Sequence, residues 1–212
     1  MTGVQTCALP IFTKSISAGI LTGAAFTFGK FGKVFAESPK ASPNAAYDLV
    51  AVKGGAPDVM FDKGIAALGG MDNFVKKGQT VLVKPNIGWD VIPEKAANTN
   101  PLLVKRIVEK CFTAGASEVY VFDNTCDKWQ NCYKNSGVEN AVKDAGGKIV
   151  PGNAEKYYQE VEIPKGKKLT KAKVHEKVLE ADVFINVPVL KNHRSAKLTI
   201  AMKNLMGIVW NR

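Results

Sequence analysis

Apolar and polar positions alternate along this chain in a way that predicts strands followed by helices. Continuous apolar runs predict β-strands at residues 47–52, 80–83, 118–122, 148–150 and 183–189. Helical spacing of apolar positions predicts α-helices at residues 58–68, 101–114, 138–145, 174–179 and 196–209. An alternating run around Val161 and Ile163 favours an edge hairpin within the lysine-rich residues 152–172. Strand–helix alternation with apolar strands predicts an α/β fold, in which helices cover both faces of a mainly parallel sheet.

The first 36 residues are not expected to belong to this fold. Residues 2–11 match the translation of a sequencing-library adapter, so residues 1–11, with Cys7, are interpreted as an artefact. Residues 12–36 have the architecture of an export signal: a mild apolar stretch, too short to span a membrane, followed by small residues. Phe12 and Lys14 match the end of a twin-arginine motif, whose arginines would fall inside the adapter. An amphipathic first helix is the alternative.

These features predict the domain organisation and the location of the protein. The small, polar, proline-containing residues 37–46 are interpreted as a linker, and residues 47–212 as one α/β domain. The last predicted helix stops without a cap, so we expect the domain to be truncated at its C-terminal end. We expect export to the periplasm or cell exterior, with no transmembrane anchor after signal cleavage.

Composition restricts the partners. The chain has 212 residues and a net charge of +10. Its lysines are scattered and no Lys/Arg run is interleaved with aromatic residues, which argues against nucleic acid. An anionic small molecule and a solvated lysine-rich surface both fit the charge. No C-x-x-C pair occurs, so no zinc ribbon or ferredoxin motif is encoded in this stretch.

Polar residues follow three of the predicted strands and carry the candidate chemistry. Lys84 and Asn86 follow the strand at 80–83, Asp123 follows the one at 118–122, and Lys191 and His193 follow the one at 183–189. The carboxyl ends of parallel strands form the ligand-binding edge of a sheet. The lysines would bind a carboxylate or phosphate, and His193 or Asp123 would move a proton. The alternative is that these are ordinary polar loops.

Other candidates carry less specific signals. His193 is also a candidate metal ligand, whereas His175 is placed on a charged, exposed helix (KAKVHEKVLE) and has no assigned role. Thr199 and Lys203 would lie one turn apart on the last helix, with Asn204 beside them and the helix start near Ser195 facing an anion. The stripe of Leu198, Met202 and Leu205 is interpreted as core. Residues 98–100 are interpreted either as an anion site or as a helix N-cap.

The cysteines leave several alternatives open. Cys126 and Cys132 lie five residues apart within the polar stretch CDKWQNC, where a small disulfide loop would form in an oxidising compartment. Two unbonded thiols and half of a metal site are the alternatives. Cys111 lies in an apolar helical pattern and is assigned to the core.

Three stretches resemble one protein family. The segments VLVKPNIGWD, NTNPLLVKRIVEKCFTAGASEVYVFDN and INVPVLKNHRSAKLTIAMKNLMGIVWNR are similar to the domain of unknown function 362 family, over residues 48–212. The resemblance implies export by the twin-arginine route, an association with iron–sulfur proteins and a domain that continues beyond residue 212. It implies no particular reaction, and no Walker loop, G-x-G-x-x-G, G-x-S-x-G or H-E-x-x-H motif occurs.

Alternative functions therefore remain at this point. The first is an uncharacterised exported protein that binds or acts on an anionic small molecule at the carboxyl ends of the strands. The second is an iron–sulfur-associated redox protein with a redox partner, whose cluster ligands lie downstream. A non-catalytic exported binding protein is a third. Whether the protein is an enzyme is left open by the sequence, and no cofactor is encoded by a motif.

Overall fold

A five-stranded sheet forms the centre of the fold in this computed structural model, which describes residues 11–13 and 47–211. The strands of the described residues are β1 (Ile11–Thr13), β2 (Thr80–Pro85), β3 (Glu118–Val121), β4 (Lys148–Ile149), β5 (Tyr158–Glu162), β6 (Lys171–His175), β7 (Val183–Val187), β8 (Lys191–His193) and β9 (Lys197–Thr199). Their α-helices are α1 (Pro57–Ala67), α2 (Pro101–Thr113), α3 (Trp129–Asn135), α4 (Val138–Asp144), α5 (Glu176–Glu180) and α6 (Ala201–Asn204). Short 3₁₀ helices lie at Met71–Asn73, Pro93–Lys95, Glu155–Tyr157 and Leu205–Ile208.

The central sheet has the order β1-β7-β2-β3-β4 and is mainly parallel. Strand β2 pairs in parallel with β3 on one side and with β7 on the other, and β3 pairs in parallel with β4. Only β1, at the edge of this sheet, is antiparallel to its neighbour β7. Two separate antiparallel pairs, β5-β6 and β8-β9, complete the described strands. The predicted α/β fold and parallel sheet are confirmed.

Side chains that alternate along the strands fill two layers of core. Val81, Val83 and Ile185 point to the face that α1, α2 and α4 cover. Leu82 and Phe184 point to the opposite face, where Val178 of α5 and Ile208 pack against them. Helices therefore lie on both faces, as predicted, because strands buried on both sides need cover on both sides.

Two predicted elements at the ends of the domain are wrong. Residues 47–52 form no strand and have no regular secondary structure, with Leu49 81% exposed. Residues 196–209 are not one helix but β9, the short helix α6 and a 3₁₀ turn. The supposed core stripe is open to solvent, since Leu198 is 52% and Met202 85% exposed. The apolar positions of this segment have helical spacing only by coincidence, because strand β9 is followed closely by the short helix α6.

The region from residue 124 to 180 also differs in detail. Helix α3 was not predicted, because its sequence is short and mostly polar, with only Trp129, Cys132 and Tyr133 on its buried side. The predicted helix at 174–179 begins only at Glu176, since the two residues before it finish β6. The predicted hairpin is present as the β5-β6 pair, but it forms a two-stranded sheet of its own and not an edge of the central sheet. None of the described helices is both long and apolar enough to cross a membrane.

The predictions for the N-terminal region lie almost wholly outside the described residues. This holds for the adapter artefact, the export signal and the linker, which cover residues 1–46. The exception is β1, whose backbone pairs with Val183–Ile185 at the sheet edge. The sequence did not predict this strand.

Candidate functional site

The Lys191 side chain joins the loops that follow β2 and β7. Its Nζ atom donates hydrogen bonds to Oδ1 of Asn86, at 3.1 Å, and to the carbonyl oxygen of Ala97. Burial lowers the pKa of Lys191, and the positive charge of Lys203 lowers it further. Because β2 and β7 are parallel neighbours, their carboxyl ends open at the same edge of the sheet. The structure thus brings two of the predicted strand ends together.

Lys84 and Asp123 form a buried ion pair beneath this edge. Nζ of Lys84 lies 2.8 Å from Oδ1 of Asp123, and the two side chains are 0% and 4% exposed. The other carboxylate oxygen, Oδ2, accepts a hydrogen bond of 2.8 Å from the backbone N–H of Ile87. The sequence predicted that Lys84 binds an anion and that Asp123 transfers a proton. The two side chains instead pair with each other away from solvent, and their ion pair connects the ends of β2 and β3.

Asn204 covers the ion pair from the other side. Its Nδ2 donates to the carbonyl oxygen of Lys84, at 3.1 Å, and to Oδ1 of Asn186, at 2.7 Å, while its Oδ1 accepts from Nζ of Lys84. Lys84 and Asn186 are cross-strand partners on β2 and β7, so one amide spans two strands. Asn204 therefore connects the strands that form the base of the site. Sequence reasoning missed Asn186, although an amide inside the apolar run VFINVPV was a visible signal.

The β8-β9 hairpin replaces the predicted helix and carries Thr199 to the same edge. Thr199 pairs with Lys191 across the hairpin, and its hydroxyl donates to the carbonyl oxygen of Val189 at 2.7 Å. Thr199 and Lys203 therefore do not share a helix face, and no helix begins near Ser195 to face an anion. The Thr199 hydroxyl hydrogen is used within the fold, which leaves its oxygen as an acceptor.

His193 is oriented by the turn of this hairpin. Its Nδ1 atom accepts hydrogen bonds from the backbone N–H groups of Ser195, at 3.2 Å, and Ala196, at 3.0 Å. An accepting Nδ1 fixes the neutral tautomer with its proton on Nε2. In this geometry neutral His193 offers an N–H donor, so the predicted role as a general base is not available without a ring flip. The arrangement suits a hydrogen bond to an anion.

These residues line one open cleft of about 440 Å³ at the carboxyl edge of the sheet, here called the strand-end cleft. The predicted site residues that line it are Asn86, Lys191, His193, Thr199, Lys203 and Asn204. Arg194 and Trp89 lie in its lining as well. Among the described residues, no aspartate or glutamate lines the cleft. Three basic side chains and one N–H donor therefore face a common space in which the described lining has no neutralising carboxylate.

Residues 86–100 wrap around the cleft and are locked by their own side chains. The Nδ2 group of Asn98 donates to the carbonyl oxygen of Trp89, and the Oδ1 atom of Asn98 accepts from the backbone N–H of Trp89. Thr99 Oγ1 accepts from Asn86 N–H and donates to the carbonyl oxygen of Val187, with both distances 2.8 Å. Asn100 caps α2 by accepting from Leu102 N–H at 2.9 Å. The N-capping alternative is thus observed for Asn100, and the other two residues fix the loop.

The cysteine pair lies beside this loop, without a disulfide in this structure. Cys132 is buried in α3, and its Sγ approaches the carbonyl oxygen of Gly88 at 3.9 Å. Cys126 is exposed and lines the strand-end cleft. Burial raises the pKa of Cys132, and burial raises that of Cys111 to about 12. Cys111 is in the core, as expected, whereas a Cys126–Cys132 disulfide stays a prediction.

His175 is the histidine that sequence reasoning misplaced. It is only 1% exposed, and its ring stacks on Phe122 with centroids 4.0 Å apart. Nε2 lies 2.9 Å from the carbonyl oxygen of Pro151, and Nδ1 accepts from Lys177 N–H at the start of α5. Burial lowers the pKa of His175. The charged neighbours suggested exposure, but the position at the end of β6 turns this side chain inward.

The described part of the chain holds no group of three or more His, Cys, Asp or Glu side chains placed to bind a metal ion. His193 is committed through Nδ1 to the hairpin turn. The iron–sulfur alternative concerns ligands downstream and stays a prediction.

Comparison with known proteins identifies the family. Residues 81–212 match the family described as "Domain of unknown function (DUF362)", and the chain belongs to this family. The match includes the three strand ends and every described residue that lines the strand-end cleft. No solved structure matches the chain.

One curated relative is similar over most of the domain. The "Thylakoid-associated protein sll1697" of Synechocystis is 30% identical over 142 residues, which are 67% of this chain. The matched region makes up 43% of that protein, so this chain spans less than half of its relative's length.

Proposed function

We propose that this DUF362 family member binds a small anion in the strand-end cleft. The observation that carries the proposal is the set of three basic side chains, Lys191, Arg194 and Lys203, that line one cleft without a carboxylate among its described lining residues. Cations that face one another in a partly buried space repel, and a bound anion removes that repulsion. The anion also accepts the N–H that His193 presents from Nε2.

The scaffold beneath the cleft supports this role. The Lys84–Asp123 ion pair and the amide of Asn204 fix the strand ends, so the cations above them are held on a rigid base. A preorganised site loses less conformational entropy when a ligand binds than a flexible one does. A lysine-rich exposed surface would show neither a shared cleft nor hydrogen bonds that orient Lys191.

Titration calorimetry with inorganic phosphate and with pyruvate tests the proposal. Lys203→Gln removes one cation from the cleft, and we expect it to weaken binding about tenfold, the loss of roughly 1.4 kcal/mol of Coulomb attraction. Lys63→Gln is the matched control, because Lys63 is an exposed lysine on α1 outside the cleft. Equal affinities of the two variants, or no binding of either anion to the unchanged protein, would rule the site out.

Export is proposed on the sequence of residues 12–36 alone. The mild apolar stretch and the match of Phe12 and Lys14 to a twin-arginine motif support it. A fusion of the natural upstream sequence to a reporter that is active only after twin-arginine export tests this part. Retention of the reporter in the cytoplasm would contradict it.

A further inference from the structure

The hydrogen bonds that Lys191 makes require no charge on its side-chain nitrogen. Its Nζ atom donates to Oδ1 of Asn86 and to the carbonyl oxygen of Ala97, and both of these acceptors are uncharged. No aspartate or glutamate of the described residues forms an ion pair with it, in contrast to Lys84 below. A neutral amine has two N–H groups and one lone pair. Two donated hydrogen bonds therefore leave the lone pair for the remaining direction, and the side chain lines the cleft.

We propose that Lys191 is a nucleophile that forms an imine with a small anionic ketone or aldehyde bound in the strand-end cleft. The inference rests on the proposed anion site and names its ligand class. The anionic group, a carboxylate or a phosphate, would lie against Lys203 and Arg194, and the neighbouring carbonyl carbon would face the Lys191 amine, which lines the same cleft. A cleft of about 440 Å³ has room for a small compound of this class.

The position of Lys191 on β8 supports this assignment. Lys191 and His193 are two residues apart on one strand, so their side chains share a face, and Thr199 lies opposite Lys191 on β9. His193 presents its Nε2 N–H on that face and would donate a hydrogen bond to an oxygen of the bound compound. The nucleophile and its hydrogen-bonding neighbours thus belong to one hairpin.

The environment of Lys191 favours the reactive form. A lysine becomes nucleophilic when burial or a neighbouring cation stabilises its neutral amine. Burial and the charge of Lys203 both lower the pKa of Lys191, while Cys126 and Asp123 act in the opposite direction. Arg194 and His193 line the same cleft.

The reaction balances with no further reagent. The Nζ lone pair attacks the carbonyl carbon, a C–N bond forms, and the carbonyl electrons move to oxygen to give a carbinolamine. The two hydrogens of the amine leave with that oxygen as water, and a C=N bond remains. No electron is gained or lost, so imine formation needs no oxidant, reductant or metal.

Reductive trapping tests the proposal. The purified protein is incubated with pyruvate and cyanoborohydride, and in a second arm with dihydroxyacetone phosphate, and the adduct is located by peptide mass spectrometry. We expect one reduced adduct, on Lys191, in at least one arm. An adduct with pyruvate indicates a carboxylate ligand, and an adduct with dihydroxyacetone phosphate indicates a phosphate ligand. Inorganic phosphate should compete with its formation.

Variants separate the possible outcomes. Lys191→Arg keeps a basic side chain of similar length and should lose the adduct, with thermal unfolding as the check that it folds. Lys165→Arg, at an exposed lysine of the β5-β6 turn, should keep the adduct. No adduct, or adducts spread equally over exposed lysines, would overturn the proposal. If phosphate binds by calorimetry and no adduct forms, the imine fails while the anion site stands. If neither occurs, both fail.

Discussion

Gly207 lies so close to the buried end of Lys84 that a Cβ atom at residue 207 would stand 2.8 Å from Nζ. The carbonyl oxygen of Gly207 also accepts a hydrogen bond from Asn124 N–H, at 3.3 Å. The backbone after α6 is thus laid directly over the Lys84–Asp123 ion pair. The ammonium is buried because a residue without a side chain allows the chain to close over it.

Gly207→Ala should therefore destabilise the protein. The added methyl group has no space beside the Lys84 ammonium, and overpacking of this kind costs about 1–3 kcal/mol in the free energy of unfolding. Urea unfolding measures the change. Gly64→Ala is the control: it lies inside α1, its Cβ would meet only Val52 at an ordinary 3.5 Å, and we expect a gain of about 0.5–1 kcal/mol. Equal changes in the two variants would contradict this packing.

The buried ion pair makes a second prediction. Lys84→Met leaves the Asp123 carboxylate buried without its cation and should lower the free energy of unfolding by about 3–5 kcal/mol. The double variant with Asp123→Asn should lose less, because no isolated charge is left. Lys143→Ala, which removes an exposed ion pair with Glu139 on α4, should leave the unfolding midpoint unchanged. A double variant that is no more stable than Lys84→Met would argue against a charge effect.

His175 should make stability depend on pH in acid. Burial lowers its pKa in the folded protein below the ordinary value of 6.5, so the unfolded chain binds the proton more readily. The contribution of His175 to stability is complete above pH 6.5 and is lost as the pH falls from there toward the lowered pKa. Protonation of Nδ1 would also break its bond from Lys177 N–H.

Urea unfolding of the unchanged protein and of His175→Gln, at a series of pH values on both sides of 6.5, measures this contribution. The difference between the two proteins should shrink as the pH falls, since carboxylate titration is common to both. A difference that stays constant or grows would contradict a buried neutral histidine.

The cysteines should differ in reactivity. Cys126 is exposed, so iodoacetamide should label it in the native protein, and pyruvate or phosphate in the strand-end cleft should slow the labelling. Cys111 and Cys132 are buried with raised pKa values and should react only after unfolding. Peptide mass spectrometry separates the sites. Equal native labelling of Cys126 and Cys132 would contradict the placement of α3.

The same digest tests the disulfide. Oxidation of the protein before a non-reducing digest should give a peptide pair linked through Cys126 and Cys132, because both lie beside Gly88. If only unlinked peptides are recovered after oxidation, the predicted disulfide loop does not form.

The strands and the edge that carries the cleft followed from sequence because buried parallel strands are continuous apolar runs. Residues 80–83 and 183–189 show this pattern, and the polar residues after them had to meet where the strands end. The roles of Lys84 and Asp123 did not follow. A charge next to an apolar run has the same sequence appearance whether it faces solvent or a buried partner, and the partner lies 39 residues away.

The spacing of apolar residues also gave a wrong prediction where two short elements follow each other and resemble one long helix in sequence. Leu198, Met202 and Leu205 have the spacing of a helix face, but Leu198 belongs to β9 and pairs across to Asn192. His175 shows the opposite case, since its charged neighbours predict exposure although the ring is enclosed by Phe122 and Tyr158. Both errors concern tertiary contacts, which no short window of sequence contains.

The most direct test of the central claim is lysine footprinting of the strand-end cleft in solution. The protein is acetylated with and without saturating pyruvate or phosphate, and each lysine is quantified by peptide mass spectrometry. The account predicts that the anion slows acetylation of Lys191 and Lys203 while Lys63 and Lys165 are unaffected. If neither anion changes the acetylation of any of the four lysines, no anion occupies the cleft, and this result would contradict the proposed function.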